Sequence, residues 1–192
     1  RFGMSALKGV GEGPVEAFIE ERQNGPFIDV FDMVRRLNLK AVNKRVMESL
    51  ALGGGFDLFE GVDRAQYFAP SDKYDTLIEH SLKYGNAYQL QKAQNVNSLF
   101  GDSDEVLIPE PPLPKAEPWS LIEKLTKEKE VTGIYISGHP LDDYKMEVSN
   151  FTTCSLEKAE TLKGQALKLA GIVAAANHRI SKKGTGFGFF TI

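Results

Sequence analysis

The sequence predicts a mainly α-helical chain that closes on a short β segment, and three observations carry that expectation. Apolar residues recur at three- and four-residue spacing through most of the first hundred residues. Two glycine clusters, Gly9-Val10-Gly11-Glu12-Gly13 and Gly53-Gly54-Gly55, interrupt those repeats as turns. From Ala166 onward the period shortens to two, the alternation of a strand.

The first cluster is the most informative. Glycines at every second position suit neither a helix nor a strand, and they permit positive φ and close backbone approach. Pro14 suits a first helical position, and Val15, Phe18, Ile19 and Arg22 continue a helical repeat with Glu16, Glu20 and Glu21 on the wet side. A helix N-terminus behind such a turn points free amides outward, where an anion is favoured. Leu7-Lys8-Gly9-Val10-Gly11 resembles a helix-hairpin-helix element, which holds a DNA backbone phosphate without reading bases. The alternative is a glycine turn that binds nothing. Glu12 opposes phosphate there and Lys8 favours it.

Asn24-Gly25-Pro26 stops this helix. Phe27, Val30, Phe31, Val34 and Leu37 predict a second helix with Asp29 near its start, and Val42, Val46, Leu50 and Leu52 a third, ended by the three glycines. The third helix and its glycine tail resemble the second half of a tandem hairpin pair, with Lys44 and Arg45 as phosphate contacts or as a solvated face. Leu77, Leu82, Tyr84, Tyr88 and Leu90 predict one or two helices broken near Gly85-Asn86. Leu99-Phe100, in a polar stretch, either docks in a partner's pocket or tucks onto its own helices.

Pro109, Pro111, Pro112, Pro114 and Pro118 make residues 105–118 a stiff acidic linker and a domain boundary. Helical spacing returns at Leu121, Ile122 and Leu125, with Glu123, Lys124, Lys127 and Glu128 on the polar face. His139 precedes a proline and reads as part of a turn, and Asp142-Asp143 as a helix start or a solvated pair. Leu167, Leu169, Gly171 and Val173 predict a strand, Ser181 to Gly186 a basic turn, and Phe187, Phe189 and Thr191 a second strand. This resembles the opening hairpin of an OB-type barrel, whose basic loops and aromatic faces bind single strands. Lys182, Lys183, Phe187 and Phe189 are the candidate contacts; the phenylalanines could instead fill a barrel interior.

Composition bounds the function. With 192 residues the chain accommodates one or two modest domains. The net charge is −3, but residues 33–47 hold Arg35, Arg36, Lys40, Lys44 and Arg45 with no acid, and residues 164–192 are also without Asp or Glu. Screening confines such fields to about ten ångströms, so a basic face can exist on an acidic protein. Cys154 is the only cysteine, which excludes an intrachain disulfide and fits a reducing cytoplasm. No apolar run approaches a membrane span and no signal peptide is visible, so no membrane partner is expected. The chain starts at Arg1 and stops inside a predicted strand, which reads as a cut through a longer protein with catalytic residues elsewhere.

Separate stretches, in order along nearly the whole chain, resemble one family. They are Gly9 to Pro14, Pro26-Phe27 with Asp32, Val42-Asn43-Lys44-Arg45-Val46 with Gly55-Phe56-Asp57, Ser98-Leu99-Phe100-Gly101, and above all Glu128 to Leu141. The family is the bacterial replicative DNA polymerase III alpha subunit. The resemblance implies a tandem helix-hairpin-helix domain over 1–104, binding duplex DNA and the sliding clamp. It further implies the linker 105–118, a helical connector 119–163 and a partial OB-fold over 164–192.

Under the resemblance, Lys8, Gly9, Val10, Gly11, Gly13, Lys44 and Arg45 are the DNA contacts. Ser98, Leu99 and Phe100 close the internal clamp motif, whose first position here is Val96 instead of glutamine, with Gln94 two residues too early. Duplex DNA, the clamp, single-stranded template and other replisome subunits are the implied partners. The family's metal-binding carboxylates match nothing in this chain, so no catalytic residue, metal ligand or cofactor is assigned, and magnesium is expected only in the parent polymerase. Two other classes stay open. A helix-hairpin-helix glycosylase or lyase would need a catalytic aspartate, for which Asp29 and Asp32 are weak counterparts; a helical scaffold would bind protein alone.

Overall fold

The computed structural model describes residues 3–97 and 108–192. They form two compact units that divide between Ile136 and Ser137. The first is helical: α1 (Glu12–Glu21), α2 (Val30–Arg36), α3 (Lys44–Leu52), a single turn α4 (Arg64–Tyr67), α5 (Leu77–Asn97) and α6 (Leu121–Thr132). No described helix is long and apolar enough to cross a membrane.

Local chemistry explains the boundaries. Asp29, Asn43, Asp63 and Ser120 each stand just before a helix and accept an amide from its first turn. Gly133 ends α6 in the left-handed region at φ 80°. The spacing predicted for α1 to α3 becomes one core, in which Phe18, Val34, Met47, Phe56, Leu77 and Tyr84 are buried together. The first helix starts at Glu12, two residues before the predicted proline start. Pro14 is tolerated there because the first four amides of a helix lack partners anyway.

Helix α5 corrects the predicted break at Gly85-Asn86: it runs unbroken to Asn97. Gly85 is present because α5 lies against α2, where a Cβ at this position would stand 2.6 Å from the Val34 carbonyl oxygen. One turn later Gln89 Nε2 donates to the Val34 and Leu37 carbonyls, both at 2.9 Å, capping the end of α2.

The described part of the proline-rich segment packs along this unit. Ile108 joins the core edge, Glu110 pairs with Arg35, Gln66 Nε2 donates to the Pro114 carbonyl at 2.8 Å, and Trp119 lies 5.4 Å from Phe68. Glu128, expected on the polar face of α6, is fully buried. Its counter-charge is Arg64, distant in sequence and invisible to helical spacing.

The second unit contains α7 (Lys145–Phe151), the single turn α8 (Leu156–Ala159) and an antiparallel hairpin of β1 (Ala175–Ile180) with β2 (Gly186–Thr191). The second strand is as predicted, but the first is displaced. The two-residue period is read over Leu167, Leu169, Gly171 and Val173, yet the register pairs Ala175 with Thr191 and Ile180 with Gly186. A strand needs a ladder partner, and β2 supplies one only to 175–180. The basic turn closes through Gly184 at φ 79°, with the Ser181 amide donating to the Thr185 carbonyl at 2.8 Å.

Asp142 starts a short 3-10 turn, accepting the His139 amide at 2.7 Å and pairing with Lys145 at 3.1 Å. Those two partners hold its carboxyl below the ordinary range. His139 Nδ1 accepts the Leu141 amide, so this stretch is a structural turn.

Candidate nucleic-acid interface

The turn before α1 is built from the backbone of Leu7 to Gly11. A 3-10 turn at Met4–Ala6 leads in, Val10 donates its amide to the Leu7 carbonyl at 3.1 Å, and Gly9 reverses the chain at φ 89°. Val10 is buried in the core, so it shapes the turn from beneath, and its amide is not available to a ligand.

Both polar groups of the Lys8 backbone are held from inside. The amide donates to the Val131 carbonyl of α6 at 2.8 Å, and the carbonyl accepts the buried Ser49 hydroxyl of α3 at 2.8 Å. The expectation of bare amides throughout the turn is therefore corrected at Lys8 and Val10. Among the described residues, the amides of Gly9, Gly11, Glu12 and Gly13 donate to no protein group, and the N-cap Gly11 offers no side chain to cover the helix end. A Cβ at Gly11 or Gly13 would meet nothing within 4 Å. The protein leaves that space open.

Arg45 lies across this turn: its Nε would stand 2.8 Å from a Cβ on Gly9. The fold thus brings together two groups that the sequence treats separately, the Gly9 turn and a basic residue of the third helix. Among the described residues Lys8, Lys40 and Arg45 form no ion pair, and all three are exposed.

The rest of the basic run is engaged within the protein. Arg35 donates to the Tyr84 hydroxyl at 3.0 Å and pairs with Glu110. Arg36 pairs with Glu21 and Asp32, both at 3.0 Å, and lies over the Phe27 ring. Lys44 pairs with Glu79 at 3.2 Å, a hydrogen bond that raises its ammonium above the ordinary range.

The second turn of the pair lies before α3, not in the glycine tail behind it where the sequence places it. Leu39-Lys40-Ala41-Val42-Asn43-Lys44 precedes α3 as Leu7-Lys8-Gly9-Val10-Gly11-Glu12 precedes α1, and Val42 is buried like Val10. The two turns differ where it matters. At the second, the Asn43 side chain accepts the Val46 amide at 3.2 Å and fills the site a ligand oxygen would take. At the first, that position is empty of protein. Lys40, equivalent to Lys8, is the functional candidate that helical spacing missed, and the repeat itself was the signal.

Gly53-Gly54-Gly55 is no anion nest. Its amides donate to the carbonyls of Ser49, Ala51 and Leu50, and the Arg64 guanidinium fills the space over Gly54. The glycosylase counterparts are also structural: Asp29 caps α2 through the Asp32 amide at 2.7 Å, and Asp32 accepts the Ile28 amide and pairs with Arg36.

Residues 1–67 match the helix-hairpin-helix motif family, which covers both turns. Over its full length the chain is 37% identical to DNA polymerase III subunit alpha of Vibrio cholerae and 30% identical to that of Escherichia coli K12, and over 96% of its length 36% identical to that of Neisseria meningitidis. The chain matches the DNA polymerase III alpha subunit along its whole length. It spans only 16% of the length of the Vibrio and Escherichia relatives.

Ser98, Leu99 and Phe100 lie outside the described residues. On the second unit, Phe187 and Phe189 share one face of β2, both nearly half exposed, with the Arg179 guanidinium 5.6 Å from the Phe189 ring. Among the described residues no three His, Cys, Asp or Glu side chains are placed to hold a metal ion.

Proposed function

We propose that this chain is a non-catalytic segment of a replicative DNA polymerase alpha subunit that holds the backbone of duplex DNA while the whole protein carries out templated DNA synthesis. The observation that carries this reading is the open donor set at Gly9, Gly11 and Gly13 with the unpaired Arg45 laid across it. A phosphate there would accept from the helix N-terminus, and Lys8, Lys40 and Arg45 would supply the counter-charge. Lys44 is a weaker contact, since binding would have to compete with Glu79.

None of these groups reads a base edge, so binding is sequence-blind and falls steeply with salt. Anisotropy titration of the chain with several unrelated duplexes tests this. Equal affinities that weaken with salt support it. A flat titration at low salt overturns it and favours a scaffold that binds only protein.

The remaining roles rest on the family. Ser98-Leu99-Phe100 is the proposed clamp-docking peptide, its two apolar anchors compensating for Val96 at the motif's first position. Replacing Leu99 and Phe100 together by Ala is expected to weaken clamp binding about tenfold or more in calorimetry; an unchanged affinity removes the assignment. Lys182, Lys183, Phe187 and Phe189 are the proposed single-strand contacts of an OB-type domain, tested by the same titration with a single-stranded oligonucleotide. Magnesium is expected only in the parent polymerase, and we assign it no step here. This chain alone is expected not to polymerise nucleotides. A cytoplasmic setting is consistent with the lone Cys154.

A further inference from the structure

Glu128 stands mid-way along α6 with its carboxylate fully buried, a costly position unless the charge is matched. Arg64, 5% exposed, supplies the match, with Nη1 at 3.4 Å from Glu128 Oε1, while Oε2 accepts the Ile136 amide at 2.8 Å. On its other side the guanidinium donates to both Asp57 oxygens, at 2.7 and 2.5 Å, and to the Leu52 carbonyl at 3.1 Å. The pair ties α6 to the corner where α3 ends and α4 begins. One turn further along α6, the Val131 carbonyl holds the Lys8 amide.

Apolar side chains of the same volume would bury α6 equally well, but they would let it slide along its axis. A forked donor between fixed acceptors does not. A slide of about one or two ångströms would take the Val131 carbonyl out of reach of Lys8 and release one of the two bonds that hold the Lys8 backbone.

We propose that Glu128 and Arg64 are positioning residues for the duplex-contacting turn: they hold α6 where Val131 fixes Lys8, and thereby keep the Gly9, Gly11 and Gly13 amides aimed at a phosphate. The proposal rests on the duplex reading above.

Glu128→Gln in the full chain tests it, with the exposed Glu123→Gln of the same helix as control and circular dichroism to establish that each variant is folded. In Glu128→Gln, exchange of the Lys8 amide should accelerate about tenfold. Duplex affinity should fall about three- to tenfold, and the slope of log K against log salt should lose about one phosphate contact. Glu123→Gln should leave all three at wild-type values.

Arg64→Lys keeps the charge but loses the fork, and should move the same readouts the same way if Glu128→Gln proves unfolded. A residue that merely stabilises the fold would lower the melting midpoint without changing the salt slope. Unchanged Lys8 exchange and an unchanged slope in either folded variant overturn the proposal. A wild-type chain that binds no duplex overturns the function reading instead, and is seen before any variant is made.

Discussion

Reversing the charge at both Lys8 and Arg45 is expected to weaken duplex binding about 100-fold at low salt, uniformly across sequences, and to reduce the salt slope by about two contacts. The magnitude follows from where the two residues sit. Arg45 lies against Gly9, and Lys8 is pinned at its backbone with its side chain exposed, so both charges flank the same open amides. Reversal removes two phosphate contacts and adds two repulsions beside Glu12, whose carboxylate already opposes the anion. Lys73→Glu changes the net charge by the same amount per site at an exposed position over the Tyr74 ring, and should have little effect. Equal weakening by Lys73→Glu would mean that overall charge governs binding and that the turn is not the site.

Gly85→Ala should destabilise the helical unit by about 2 kcal/mol, a loss of roughly 4–8 °C in the melting midpoint for a chain of this size. In an exposed helix the same substitution would stabilise, because alanine is the better helix former by about 1 kcal/mol. Here the added methyl group would lie 2.6 Å from the Val34 carbonyl oxygen and 2.8 Å from Val34 Cβ, so α2 and α5 must separate. The sign decides between a packed, continuous helix and a break at this position. A midpoint that rises in scanning calorimetry would show that α5 and α2 do not pack as described.

Much of the helical unit is legible before any coordinate is known, and the parts that are not share one physical cause. Helices α1 to α3 follow from apolar spacing and from capping residues close in sequence, such as Asp29 and Asn43. Gly85, Glu128 and the strand Ala175–Ile180 are decided by partners far along the chain. Val34 requires the glycine, Arg64 neutralises the carboxylate, and β2 pairs with a segment whose own pattern is not strand-like.

The site divides the same way. The open turn at Gly9 to Gly13 is local and could be read from its glycines. That Arg45 crosses it, while Arg35, Arg36 and Lys44 are tied to Glu110, Glu21 and Glu79, depends on tertiary placement. The repeat at Leu39 to Lys44 is the exception: it was present in the sequence, and it explains why the second turn is closed. Asn43 gives its helix the oxygen that Gly11 withholds from the other.

The most direct test follows the backbone amides by nitrogen–proton NMR as an unrelated-sequence duplex is added. Large shifts are expected at Gly9, Gly11 and Gly13, smaller ones at Lys40 and Arg45, and none at Gly53, Gly54 and Gly55, whose amides are bonded internally. Shifts at the three-glycine tail with a silent Gly9–Gly13 turn would contradict duplex contact at that turn.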